Sequence, residues 1–103
     1  MTDYIEASVM TWLRYDRGCP IVCVERGLEW RYRPDILAVT KSRHLIEVEV
    51  KRTIADFRAN AEKRFPDVAI RSQFYFAVPP DLADRIAAEL PDGAGLITCK
   101  RHV

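Results

Sequence analysis

Charge of one sign is what this sequence most lacks: 16 Lys and Arg stand against 15 Asp and Glu, for a formal net charge of +1. A chain so balanced has no global pull toward nucleic acid or an anionic membrane, so any such attraction has to be local. Long hydrophobic runs are missing too. No window is apolar enough to span a bilayer core of about 30 Å, and the opening MTDYIEASVM has neither the basic start nor the apolar stretch of an export signal. A cytoplasmic protein without a membrane segment is therefore expected. Cysteine is scarce, and Cys19, Cys23 and Cys99 cannot all pair within one chain. Without an export signal they read as reduced, small, buried residues. Linkers, repeats and low-complexity stretches are absent as well, so the 103 residues read as one domain, near the size where a second subunit adds needed buried surface.

What is present is a regular alternation of helical and strand patterns. Asp3 and Glu6 frame a first helix over about Asp3 to Arg17, with Ile5, Val9, Trp12 and Leu13 on its apolar face. Gly18 ends that helix and Pro20 prevents its continuation. Cys19 to Val24 is a short β-branched run, the first strand. Trp30 to Ala38 is the second, interrupted at Pro34, and the polar stretch Thr40 to Arg43 turns it into a third strand, Leu45 to Val50. Thr53 caps a second helix with Ile54, Phe57 and Ala61 inward, ended by Phe65-Pro66. The segment FYFAV, Phe74 to Val78, reads as a strand buried on both faces. Pro80 and Asp81 open a third helix carrying Leu82, Ile86 and Leu90, and Gly95 to Cys99 is a last strand. The order is α-β-β-β-α-β-α-β, which fits an α/β fold with one mixed sheet flanked by helices.

Within the third strand, the stretch HLIEVEVKRT raises the functional question. Side chains alternate across a strand, so Ile46, Val48 and Val50 point one way while Glu47, Glu49 and Lys51 point the other. That charged row is either a solvated face or the floor of a metal site. Asp35 lies on the paired second strand, so its carboxylate and that of Glu49 can come close enough to share a divalent cation. Magnesium suits oxygen ligands and keeps several waters, which leaves room for a phosphate. Lys51, two residues beyond Glu49 on the same face, can orient or help deprotonate an attacking water and stabilise charge developing on phosphorus.

Pro34-Asp35, a short hairpin and Glu49-Val50-Lys51, set in this order of elements, resemble the PD-(D/E)XK nuclease superfamily. Further stretches, VEVKRTIADFRAN, KRFPD, FYFAVPPDL and AGLIT, look like the MmcB-like DNA-repair nucleases and related phage or restriction-type enzymes, over roughly residues 34–99. The resemblance implies a restriction-endonuclease-like core and hydrolysis of DNA phosphodiester bonds with Mg²⁺ or Mn²⁺ and no organic cofactor. It further implies Asp35 and Glu49 as metal ligands, the Val50 carbonyl as a third, and Lys51 as the catalytic lysine. In many members an acid on the first helix completes the site, and Glu6 is the residue in that position. Glu47 departs from the usual pattern and is either a second-metal ligand or a cross-strand charge. The second helix carries no glutamine motif of the RecB-like branch.

Other features have bland and functional readings side by side. Residues 51–71 hold six basic residues against three acidic ones, and Arg52, Arg58, Lys63 and Arg64 are placed to touch DNA phosphates or simply to keep a helix face solvated. Arg31 and Arg33, flanking Tyr32, can line the approach to the site. Glu6 serves equally as a first-turn acid that favours its helix. Cys19-x3-Cys23 with Cys99-x2-His102 would form a zinc or iron–sulfur site only if the first and last strands were neighbours. His44 reads as a surface residue, and Trp12 and Trp30 as core. The leading expectation is a homodimeric endonuclease acting on DNA. The alternative is a catalytically silent nucleic-acid-binding or protein-interaction module on the same fold.

Overall fold

The structure is a computed structural model that describes residues 4–24, 35–60 and 71–100. Helix α1 (Tyr4–Thr11) runs into a π-helical turn, Trp12–Asp16, and is followed by strands β1 (Ile21–Val24), β2 (Ile36–Val39) and β3 (Leu45–Val50). Helix α2 (Ile54–Asn60), strand β4 (Arg71–Val78), helix α3 (Pro80–Ala88) and strand β5 (Ala94–Thr98) complete the described elements. Among the described residues, no helix is long and apolar enough to cross a membrane. The five strands form one mixed sheet in the order β1-β2-β3-β4-β5, antiparallel through β3 and parallel from β3 to β5. This is the α/β class and the element order expected of a restriction-endonuclease-like core. Residues 25–34 and 61–70, which include Trp30, Pro34 and the expected end of the second helix, lie outside the described residues.

Local chemistry accounts for the boundaries. The first helix closes through Arg17 N–H to Trp12 O and Cys19 N–H to Leu13 O, both 2.9 Å, with Gly18 at φ +64°. That left-handed residue is where glycine costs least, and the closure is the familiar helix-end pattern widened by one residue by the π turn. In the β2–β3 turn, Thr40 N–H donates to His44 O at 2.9 Å and His44 N–H to the Thr40 hydroxyl at 2.9 Å. Thr53 caps α2 as expected, its hydroxyl accepting from Asp56 N–H at 3.0 Å.

The sheet buries both faces. On one, Ile36, Ala38, Ile46, Val48 and Val50 pack with Ile5, Val9 and Leu13 of α1 and its π turn. On the other, Phe74, Phe76 and Val78 of β4 pack with Phe57 of α2 and Leu82 and Ile86 of α3. Register assigns the charged row to the second face, because Glu47 pairs with Phe74 and Glu49 with Phe76. β3 is therefore a central strand covered on both sides, and the row is not solvated: Glu47, Glu49 and Lys51 are 3%, 1% and 2% exposed.

Two expectations are corrected, on Cys23 and on Trp12, and one condition is unmet. β1 and β5 are opposite edges of the sheet, with three strands between them at about 4.8 Å each, so the adjacency that a metal site shared by Cys19, Cys23 and Cys99 required does not hold. Of the three thiols, only Cys19 and Cys99 are buried, and Cys23 is exposed on the edge strand. Trp12 is half-buried at the margin of the core, edge-on to Tyr75 with centroids 5.6 Å apart and under the Arg17 guanidinium. His44 is exposed, as expected.

Candidate active site

The site is built at the end of the β2–β3 pair. The last described ladder partners are Ile36 and Val48, and Asp35 stands in the bend immediately before β2 rather than on the strand itself, where the sequence pattern sets it. Asp35 is half-buried, and its Oδ2 accepts the Val50 N–H at 2.7 Å. A charge-assisted bond of that length ties the carboxylate to the peptide next to Glu49. It also satisfies a backbone donor that lies past the end of the ladder.

Glu49 is enclosed. Its Oε2 lies 4.0 Å from Lys51 Nζ, and among the described residues no hydrogen bond reaches its buried Oε1. Lys51 Nζ sits between Oε2 and Asp56 Oδ1, 3.7 Å away, while Lys51 N–H continues the parallel ladder to Ala77 O at 3.0 Å. The ammonium thus has two carboxylates at ion-pair range and is held at the carboxyl end of β3. In open α/β sheets this end of the parallel strands is where ligands bind.

Glu49 and Lys51 are thus within ion-pair range of each other, Asp35 is bonded to the Val50 peptide that lies between them in the chain, and Glu47 follows on the same row, one pleat deeper. Glu6 stands half-buried in the first turn of α1, the helix whose core residues Ile5 and Val9 pack on the opposite face of the sheet. Arg52 is exposed beside the site. Arg58 is exposed on α2 and bonded to Glu89 at the end of α3, its Nε and Nη2 donating at 2.9 and 2.6 Å to the two carboxylate oxygens. That hydrogen bond raises the guanidinium pKa and holds Glu89 below the usual carboxylate range. Arg33, Lys63 and Arg64 lie outside the described residues, as do Arg31, Tyr32 and His102. Burial pushes the Cys99 thiol above its ordinary value, as an inert core cysteine requires.

Asp56 is the residue that sequence reasoning passed over. The spacing Thr53-x-x-Asp56 marks a helix start, and that role masks a second one. The missed signal is its distance from Lys51: a lysine two residues before a helix cap lies within reach of the third helical position.

The donor set fits a hard cation. Two carboxylates and a backbone carbonyl supply oxygen ligands only, and magnesium takes one or two protein carboxylates and fills its remaining positions with water and phosphate. Among the described residues, no group of three or more His, Cys, Asp and Glu side chains is close enough to cage an ion. A fully protein-ligated zinc or calcium site is a poorer match for such a set.

No family model matches the chain, and no curated protein matches it. Among solved structures, the chain is similar to a protein of unknown function from Silicibacter pomeroyi, at 22% identity with a TM-score of 0.74. The similarity covers 93% of this chain and 62% of that one, so this chain spans less than two thirds of its length. At that identity the likeness establishes the shared α/β fold.

Proposed function

We propose that this protein is a metal-dependent nuclease that hydrolyses DNA phosphodiester bonds. The observation that carries the reading is the burial of Glu49 and Lys51, at 1% and 2% exposure, on a charged row that solubility alone would leave in water. Burying charge is costly unless the groups are paired or used, and functional sites are where folded proteins accept that cost.

In this reading Asp35 and Glu49, with the Val50 carbonyl, hold Mg²⁺ or Mn²⁺, and Glu47 is an auxiliary carboxylate. The bound ion supplies Lewis acidity at a phosphoryl oxygen and a more acidic water. The Val50 N–H keeps Asp35 in one orientation, so the carboxylate is preorganised before any ligand arrives. Lys51 donates hydrogen bonds from a nearly water-free position, where an ammonium stabilises developing phosphorane charge far better than in bulk water. Arg52, together with Arg33, Lys63 and Arg64, would contact phosphates without reading sequence.

The test is cleavage of labelled linear duplex, single strand, flap and four-way junction in Mg²⁺ or Mn²⁺, comparing wild type with Glu49→Ala and Lys51→Ala. Metal-dependent cleavage that falls by roughly a hundredfold or more in both variants is expected. Cleavage that survives either substitution refutes these roles. A second reading, the silent binding module, keeps the same fold, with the buried Glu49–Lys51 pair as a structural ion pair. DNA binding without cleavage, and no shift of the wild-type melting temperature by Mn²⁺, would decide for it.

A further inference from the structure

The Lys51 ammonium has two neighbours of opposite kind. Glu49 is buried beside it on the same strand, whereas Asp56 comes from α2 and is 46% exposed, with Oδ1 at 3.7 Å. On the proposed reading, Glu49 turns its charge to a divalent cation, and that cation repels the ammonium. A lysine 2% exposed cannot then be left without a counter-ion, because stripping a buried charge of its partner is strongly unfavourable. We infer that Asp56 is the positioning residue of this site: its carboxylate keeps the Lys51 ammonium at the end of β3 while Glu49 is occupied.

The local structure suits that task. Asp56 is the third residue of α2, and its N–H is tied to the Thr53 hydroxyl at 3.0 Å, so the backbone that carries the carboxylate is fixed by a cap two residues beyond Lys51. Its other side is open to water, with 46% of the side chain exposed. Phe57, the next residue, is 1% exposed and edge-on to Phe76 with centroids 5.1 Å apart. That anchor sets the height of the helix start over the sheet, and with it the distance from Asp56 to Lys51. The inference rests on the nuclease reading for its purpose, and on the geometry alone for the pairing.

The experiment is a double-mutant cycle of wild type, Asp56→Asn, Lys51→Met and the double variant, with Asp56→Glu as a rescue. In metal-free buffer, Asp56→Asn should change the unfolding equilibrium constant by a factor that differs roughly threefold or more between the wild-type and Lys51→Met backgrounds. Its contributions to the helix cap and dipole cancel in that comparison. With DNA and Mg²⁺, Asp56→Asn should lower kcat on the order of tenfold to a hundredfold with KM within about twofold, and Asp56→Glu should restore most of it. Equal factors in the two backgrounds, an unchanged kcat, or a loss confined to KM would overturn the inference. If wild type cuts no DNA, the nuclease reading fails by itself, and the metal-free cycle still decides whether Asp56 holds Lys51.

Discussion

Replacing Gly95 by alanine tests how tightly the parallel half of the sheet is built. Gly95 pairs with Tyr75 across β4 and β5, and a Cβ placed on it would lie 2.5 Å from Tyr75 Cδ1 and 2.6 Å from Cε1. The backbone there is not in the left-handed region, which among the described glycines holds Gly18 and Gly93, so space rather than conformation is the obstacle. The ring has little freedom to withdraw. It is edge-on to Trp12, its hydroxyl donates to Gln73 Oε1 at 2.8 Å, and Arg17 Nη1 reaches both Gln73 Oε1 at 3.1 Å and the Tyr75 oxygen at 3.3 Å. Overpacking costs about 1–3 kcal/mol, and displacing the ring forfeits up to about 1 kcal/mol of aromatic pairing. Against this, alanine is favoured over glycine in a strand by about 0.5–1 kcal/mol. The net expectation for Gly95→Ala is a loss of about 2 kcal/mol, on the order of 10 °C in Tm for a domain of this size. Urea unfolding followed by fluorescence measures it, and Tyr75→Ala provides the control. With the ring gone, the same substitution should become neutral or stabilising by about 0.5 kcal/mol. If Gly95→Ala costs the same with and without the Tyr75 ring, the steric account is refuted.

At the surface, the Arg58–Glu89 pair joins α2 to the end of α3. Because the bond from Arg58 lowers the Glu89 pKa, its contribution is present above the ordinary glutamate value of about 4.3 and is lost as pH falls below it. Glu89→Gln should therefore lower Tm slightly at pH 7, while variant and wild type converge near pH 3 and in high salt; a difference that persists at pH 3 contradicts the linkage. On the proposed reading, a nuclease domain this small offers little surface to grip a duplex, so a homodimer is expected, and light scattering that finds only monomer with and without DNA would count against it.

Much of the architecture was legible because strand and helix periods are local properties. The alternation of Ile46, Val48 and Val50 with Glu47, Glu49 and Lys51, the Thr53 cap and the apolar run from Phe74 to Val78 each follow from neighbours a few residues away. The pairing of β2 with β3 follows from a short polar turn, and it leaves Asp35 bonded to the Val50 N–H, one residue along from Glu49. What was not legible is long-range. Nothing near Arg58 announces Glu89, 31 residues on, as its partner. Nothing near the cysteines shows that β1 and β5 are opposite edges.

By itself, then, the sequence determined which side chains share a face, because alternation is a property of the extended chain. Only the tertiary structure decided that the charged face is buried, since its exposure depends on β4 pairing alongside β3 and on α2 and α3 covering the same side. The same packing of α2 over the sheet sets Asp56 3.7 Å from Lys51. A row of charges on one strand carries no sign of its own burial; that comes from the elements packed over it.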